Sequence, residues 1–207
     1  MNKSLSRRIH QLLKEVDEIP EDRKKLLLLI SDLIKQEISK NGHVNIVFIC
    51  THNSRRSQLA EAWLVAAYQH FDVRGISAFS GGTEATSFNI RMVVALRNDA
   101  FHLRTDGPRD NPRYVLQALE ASSSPHIMFS KVYDHPFNPR TNMMVLMVCS
   151  DADKNCPVVL GSTHRISLSY EDPKEFDDTP MESQIYTDKV HEIGREILFL
   201  MKHVKDL

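Results

Sequence analysis

The 207-residue chain has little of four things, and each shortage excludes a class of function. No apolar run approaches the ~18 residues that a membrane span requires, and residues 1–10 lack the charged-then-apolar order of a secretory signal. The expected address is the cytoplasm, with no membrane partner. Charge of one sign is also lacking: 26 Lys and Arg stand against 27 Asp and Glu, a net charge of −1, so the field of a general nucleic-acid binder is absent. Cysteines are Cys50, Cys149 and Cys156, too few and odd in number for a secreted disulfide framework. The ten histidines fall at no metal-ligand spacing. There are no internal repeats or low-complexity tracts, and no metal or tightly bound cofactor is expected.

What is present is an apolar content of 42%, enough for a packed core. At roughly 150 residues per domain the length suits one domain with an appendage. Residues 1–40 predict two amphipathic helices, with Leu5, Ile9, Leu12, Val16 and Ile19 on one face before Pro20, then Leu26 to Ile30, Leu33, Ile34 and Ile38. This hairpin carries nine Lys/Arg and seven Asp/Glu and no catalytic pattern. Its apolar stripe needs a cover, either the following domain or a second copy in a homodimer. The expected division is an N-terminal helical extension at 1–42 and an α/β domain at 43–207.

From Val44 the periodicity changes. Val44–Cys50 is a short apolar strand, and Arg55 to Phe71 is a helix with Leu59, Ala62, Trp63, Ala66 and Ala67 on one side. Further strands are predicted near Ile76 to Ser80, Met143 to Cys149 and His164 to Tyr170, and helices over Ile90 to Ala100 and, after a Thr179 N-cap and Pro180, to about Val204. Strands alternating with helices predict a three-layer α/β fold, a mainly parallel sheet of about four strands with helices on both faces. Residues 101–142 contain five prolines and predict a helix over Tyr114 to Ala121 and a strand over His126 to Ser130.

The chemistry concentrates in Cys50-Thr51-His52-Asn53-Ser54-Arg55-Arg56-Ser57, between the first strand and its helix. Backbone N–H groups of such a loop and the helix N-terminus together hold an oxyanion. Arg56 can clamp two of its oxygens. The same field favours a thiolate at Cys50, with the Ser57 hydroxyl placed to donate to sulfur. The bland alternative is a buried strand-end cysteine beside a solvated pair of arginines; the setting between strand and helix argues for the nucleophile.

Cys50, Asn53, Arg56 and Ser57 match the Cys-x-x-Asn-x-x-Arg-Ser signature of the low-molecular-weight protein tyrosine phosphatase superfamily, which the chain resembles from about Val44 to Val204. The resemblance implies a general acid in an Asp-Pro pair near the C-terminus, which Asp172-Pro173 supplies, with Asp177 and Asp178 read as a solvated run before the last helix. It also implies that Thr51, His52, Asn53, Ser54, Arg55 and Arg56 form the oxyanion cradle. Ser80-Gly81-Gly82-Thr83 resembles the segment that packs beside that cradle. Asn53, Glu61 and Ser80 offer oxygens to a monovalent cation, or else form a structural hydrogen-bond network.

Cys149 and Cys156 frame Cys149-Ser150-Asp151-Ala152-Asp153-Lys154-Asn155-Cys156 at the end of an apolar strand. That segment resembles the redox loop of thioredoxin-coupled arsenate reductases, and the resemblance implies a relay in which Cys50 attacks arsenate, Cys149 resolves it, and a Cys149–Cys156 disulfide goes to thioredoxin. Structural thiols, or a metal pair lacking two ligands, are the competing readings. Three departures mark this chain: His52 stands where the family has glycine, Arg55 where it often has a second loop cysteine, and Lys174-Glu175-Phe176 where phosphotyrosine-specific members carry tyrosines. The function expected is arsenate reduction. A tyrosine phosphatase working through a Cys50 phosphoenzyme and a non-catalytic oxyanion-sensing module are the alternatives.

Overall fold

A computed structural model describes residues 2–119, 125–155 and 158–205. Along it run α1 (Lys3–Lys14), α2 (Glu21–Asn41), β1 (Val44–Cys50), α3 (Arg56–Phe71), β2 (Ile76–Gly82) and α4 (Ile90–Asn98). A smaller strand group follows, β3 (His102–Asp106), β4 (Arg113–Gln117) and β5 (His126–Met128), and then β6 (Met143–Met147), α5 (Ser150–Asn155), β7 (Ser162–Ser167) and α6 (Glu182–Lys205). Among the described residues no helix is long and apolar enough to cross a membrane.

The central sheet is four-stranded and all parallel, in the order β2-β1-β6-β7, and helices flank it. β1 and β6 are nearly continuous apolar runs because strands inside such a sheet are buried on both faces. From β1 the chain moves outward to β2, then crosses to β6 on the other side, so the connections diverge between β1 and β6. A crevice opens at the carboxyl ends of strands that part in this way. Cys50 ends β1 there, Cys149 follows β6 by two residues, and residues 168–172 leave β7 on the same side.

α3 is buried along most of its length, from Ser57 to Ala67, because it is enclosed between β1 and β2 on one side and α6 on the other. A Cβ on Gly194 of α6 would come 2.4 Å from the Trp63 ring, so glycine there lets the two helices approach.

The N-terminal helices belong to the same core. Asn2 caps α1 by accepting from the Leu5 N–H at 3.1 Å, and Gly42, at φ 70°, ends α2 in the left-handed conformation. Leu5, Ile9, Leu12, Leu27, Ile30 and Ile34 are fully buried in the cluster that includes the sheet, and both helices pack on α6. Most of the stripe that motivated a homodimer is therefore covered within the chain, while Leu28 and Leu29 remain exposed. Arg23 pairs with Glu196 at 2.9 Å and lies over the Tyr170 ring at 4.6 Å, while the Tyr170 hydroxyl donates to Glu196 at 2.7 Å.

Residues 101–142 correct the sequence reading. The expected helix over Tyr114 to Ala121 is instead strand β4, and Ala121 lies outside the described residues. Burial along β4 alternates, with Tyr114 and Leu116 inside and Arg113 and Gln117 outside, which is the period of a strand. β4 pairs antiparallel with β3 and β5 in a separate three-stranded sheet. α6 begins at Glu182, and the Thr179 hydroxyl accepts from the Met181 N–H at 3.3 Å in the turn before it.

Candidate active site

The loop after β1 is held from beneath and from the side. Thr83 N–H donates to the Cys50 carbonyl at 3.2 Å and Glu84 N–H to the Thr51 carbonyl at 2.8 Å, which places the Ser80–Thr83 segment beside the loop. A Cβ on Gly82 would come within 2.2 Å of the Glu84 carbonyl and 2.6 Å of that of Thr51, so only glycine allows this approach. Ser130 donates to the His52 carbonyl at 3.0 Å and Ser54 to the Ser87 carbonyl at 2.7 Å. The N–H groups of His52, Asn53, Ser54 and Arg55 donate to no acceptor among the described residues. These are the donors an oxyanion cradle needs.

Within the loop the left-handed conformation falls on Asn53, at φ 47°, not on His52. Asparagine tolerates it better than most side chains, so the histidine costs the loop no backbone strain. The His52 ring is half exposed and lies 3.7 Å from Glu84. The Cys50 thiol is buried with its sulfur 3.0 Å from the Ser57 hydroxyl. The Asn53 amide donates to Ser57 at 2.8 Å and to Ser80 at 2.9 Å, and Ser80 donates to the buried Glu61.

Asn53, Glu61 and Ser80 thus converge, but not as a cation site. Asn53 Oδ1 already accepts from Lys131 N–H at 2.9 Å and from Gln58 at 3.3 Å, and Glu61 faces the Lys131 ammonium and the His126 ring. The three side chains are joined in a hydrogen-bond network near the Lys131 ammonium, and a monovalent metal ion does not fit it.

Arg56 is clamped along one edge of its guanidinium. Nη1 donates to the Tyr170 carbonyl at 2.9 Å and Nη2 to Asp172 Oδ2 at 2.6 Å. Nε is buried without a partner, so the Nε/Nη2 edge keeps its capacity for a bidentate anion contact. Asp172 also accepts from Lys174 N–H at 3.1 Å and caps the short 3-10 turn Pro173–Phe176. Its carboxyl is therefore brought to the arginine of the loop, where a general acid has to stand.

Arg55 and Asp177 differ from their sequence reading. Arg55 donates to Asp177 at 2.8 Å and to the Tyr186 hydroxyl at 2.7 Å, which removes its guanidinium from the cradle. Asp177 is accordingly an ion-pair partner rather than part of a solvated run, while Asp178 is exposed and pairs with Arg91. Burial, together with the hydrogen bond to Asp177, pushes the Tyr186 phenol up to about 12. The folded chain keeps this proton where an unfolded tyrosine has lost it. The contribution is complete below pH 10 and is lost as pH rises through about 12. Denaturant midpoints measured across that window should fall less steeply in Tyr186→Phe than in the parent.

Cys149 is buried, and its sulfur lies 3.5 Å from the Thr51 hydroxyl, on the residue next to Cys50. The β1–β6 register, with Ile49 opposite Met147, brings it there. The Ala152 N–H donates to the Cys149 sulfur at 3.3 Å. Cys156 lies outside the described residues. Four participants escape a reading of motifs: Tyr170, which acts through its carbonyl, Tyr186, Lys131 and His126. A lone lysine in an apolar stretch, Met128-Phe129-Ser130-Lys131-Val132-Tyr133, is the one sequence signal among them.

No family model matches the chain. Among curated proteins it is similar to arsenate reductase 2 of Staphylococcus epidermidis, 30% identical over 132 residues that cover 62% of this chain and 77% of the relative. It is also similar to an arsenate reductase of Staphylococcus aureus, 27% identical over 128 residues with the same coverage. Among solved structures, a low-molecular-weight phosphotyrosine phosphatase of Vibrio cholerae shares the fold at a TM-score of 0.53 and 14% identity, over 77% of this chain and 95% of the other. One from T. tengcongensis does so at 0.51 and 16%, over 77% and 98%.

Proposed function

We propose that the chain, which belongs to the family of the arsenate reductases, a family of enzymes, and shares the fold of the low-molecular-weight phosphotyrosine phosphatases, reduces arsenate to arsenite through Cys50, Cys149 and Cys156. The observation that carries this reading is the buried Cys149 thiol against Thr51. Hydrolysis of a phosphoenzyme has no use for a second sulfur beside the nucleophile.

Arsenate lies in the cradle of residues 51–56 and on the free edge of Arg56. Cys50 thiolate attacks arsenic(V), and a hydroxyl leaves as water with the proton of Asp172. Cys149 then attacks Cys50 Sγ, and the electron pair of the breaking S–As bond passes to arsenic, releasing arsenite and a Cys50–Cys149 disulfide. Cys156 attacks Cys149 in turn, which frees Cys50 and leaves a disulfide for thioredoxin to reduce. Such chemistry needs a reducing compartment, which assigns the protein to the cytoplasm. Catalysis is assigned to residues 43–207, with 1–42 supporting the rear of the domain.

The test supplies arsenate, thioredoxin and thioredoxin reductase and follows NADPH oxidation. Arsenate-dependent oxidation is the expected result. Brisk release of phosphate from an aryl phosphate with no NADPH consumed would make the protein a phosphatase. Oxyanion affinity with neither turnover would make it a sensing module.

A further inference from the structure

Lys131 has no part in the steps above, yet its side chain is 2% exposed. It follows β5 and runs beside the end of β2, where Gly82 N–H donates to its carbonyl at 2.9 Å. Its ammonium lies 4.9 Å from the centre of the Phe129 ring, 5.8 Å from that of Phe137 and 3.5 Å from the Phe129 carbonyl. The titratable and charged groups around this pocket are Glu61 and Tyr68 of α3, His126 of β5, Arg113 of β4 over the Phe129 ring, and His135. Burial pushes the Lys131 ammonium down, and Glu61 opposes that shift. Burial alone would raise the Glu61 carboxyl, but Lys131, His126 and the Ser80 hydroxyl together hold it below its ordinary value.

The direction of each hydrogen bond along the network can be assigned. A backbone N–H has only a proton to give, so the bond from Lys131 N–H identifies Asn53 Oδ1 as the acceptor and fixes the amide. Its two N–H protons then go to Ser80 and Ser57. Ser80, receiving one, directs its own proton to the Glu61 carboxylate. Ser57, receiving the other, keeps its hydroxyl proton for the Cys50 sulfur. A Glu61 protonated on Oε2, the oxygen that faces Ser80, would donate to Ser80 instead, turn the Ser80 hydroxyl toward Asn53, and set two donors against each other.

We propose that Lys131 is a positioning residue for the Cys50 nucleophile: its N–H fixes the Asn53 amide, its ammonium keeps Glu61 an acceptor, and the Ser57 proton is thereby left to the sulfur. The inference rests on reading Cys50 as the nucleophile, not on which oxyanion it attacks.

The test uses the full chain with Cys149→Ser and Cys156→Ser, so that Cys50 is its single thiol. Alkylation by iodoacetamide is followed across about pH 5 to 9. Lys131→Met should shift the profile upward by about one unit, seen as about tenfold slower alkylation below the parent midpoint. Two double variants separate the hydrogen-bond role from packing. Lys131→Met/Glu61→Gln keeps an amide oxygen that accepts from Ser80 and should return to within about twofold of the parent. Lys131→Met/Glu61→Leu has no acceptor and should remain shifted. Both replace the charged pair by neutral groups and decide the matter even where Lys131→Met alone does not fold. A parent-like profile in Lys131→Met, or coincident profiles in the two doubles, overturns the proposal. The readout needs no substrate, so a failure of the reductase reading would appear in the turnover assay and leave these profiles untouched.

Discussion

Cys50→Ser should remove turnover of arsenate and of any aryl phosphate alike, by about 10⁴-fold or more, and leave oxyanion binding in place. Both reactions begin with the same covalent bond, and a serine hydroxyl in place of a thiol is a far weaker nucleophile at neutral pH. Binding depends on other atoms: the open N–H groups of residues 52–55 and the unpaired Nε of Arg56, none of which the substitution touches. Calorimetric titration with arsenate or phosphate, run beside both activity assays, measures the two quantities separately. Residual activity on both substrates in Cys50→Ser would sink the assignment of the nucleophile. Arg56→Lys should show the opposite pattern, weakening binding and lowering turnover by about 10²–10³-fold, because an ammonium cannot hold Tyr170 and Asp172 on one edge and an anion on the other.

Cys149→Ser should abolish arsenate-dependent NADPH oxidation while changing slow aryl phosphate hydrolysis by no more than about twofold. In the proposed relay, reduction of arsenic(V) to arsenic(III) takes two electrons from the protein, which the Cys50 and Cys149 thiolates give up as they join in a disulfide. Hydrolysis draws on Cys50, Arg56 and Asp172 with water, so the second thiol is dispensable to it. The serine hydroxyl keeps the hydrogen-bonding positions that the sulfur has toward Thr51 and Ala152, which limits any structural loss. Cys156→Ser should stop multiple turnover after a single arsenite is released per chain. Parent-rate reduction in both variants would end the relay.

Much of the site was legible because a catalytic loop compresses its chemistry into adjacent residues. Cys50 to Ser57 read as a cradle, and Asp172-Pro173, an ordinary turn pair when taken alone, was singled out by the family resemblance; in the fold Asp172 does meet Arg56. What escaped were partners that residue type does not advertise. Tyr170 serves Arg56 with a carbonyl, which every residue has. Arg55 has the right charge for the cradle, but Asp177 and Tyr186 hold it elsewhere, and that competition exists only once α6 returns to the loop. The strand at Arg113–Gln117 was read as a helix because five residues are too few to separate the two periods. Its better signal was the neighbouring connection from Gly107-Pro108 to Pro112, whose glycine sits at φ 89° and which joins β3 to β4 where Asp106 pairs with Arg113.

Tyr170 is engaged on both of its ends. Its ring and hydroxyl answer to Arg23 and Glu196, and its carbonyl to Arg56. Fraying at the start of α2 is consequently not a remote event: once Arg23 lets go, the peptide that steadies the Arg56 guanidinium loses its backing from the far side. The N-terminal helices thus do more than fill the core: through one tyrosine, the anchoring of α2 on α6 bears on how firmly Arg56 is held.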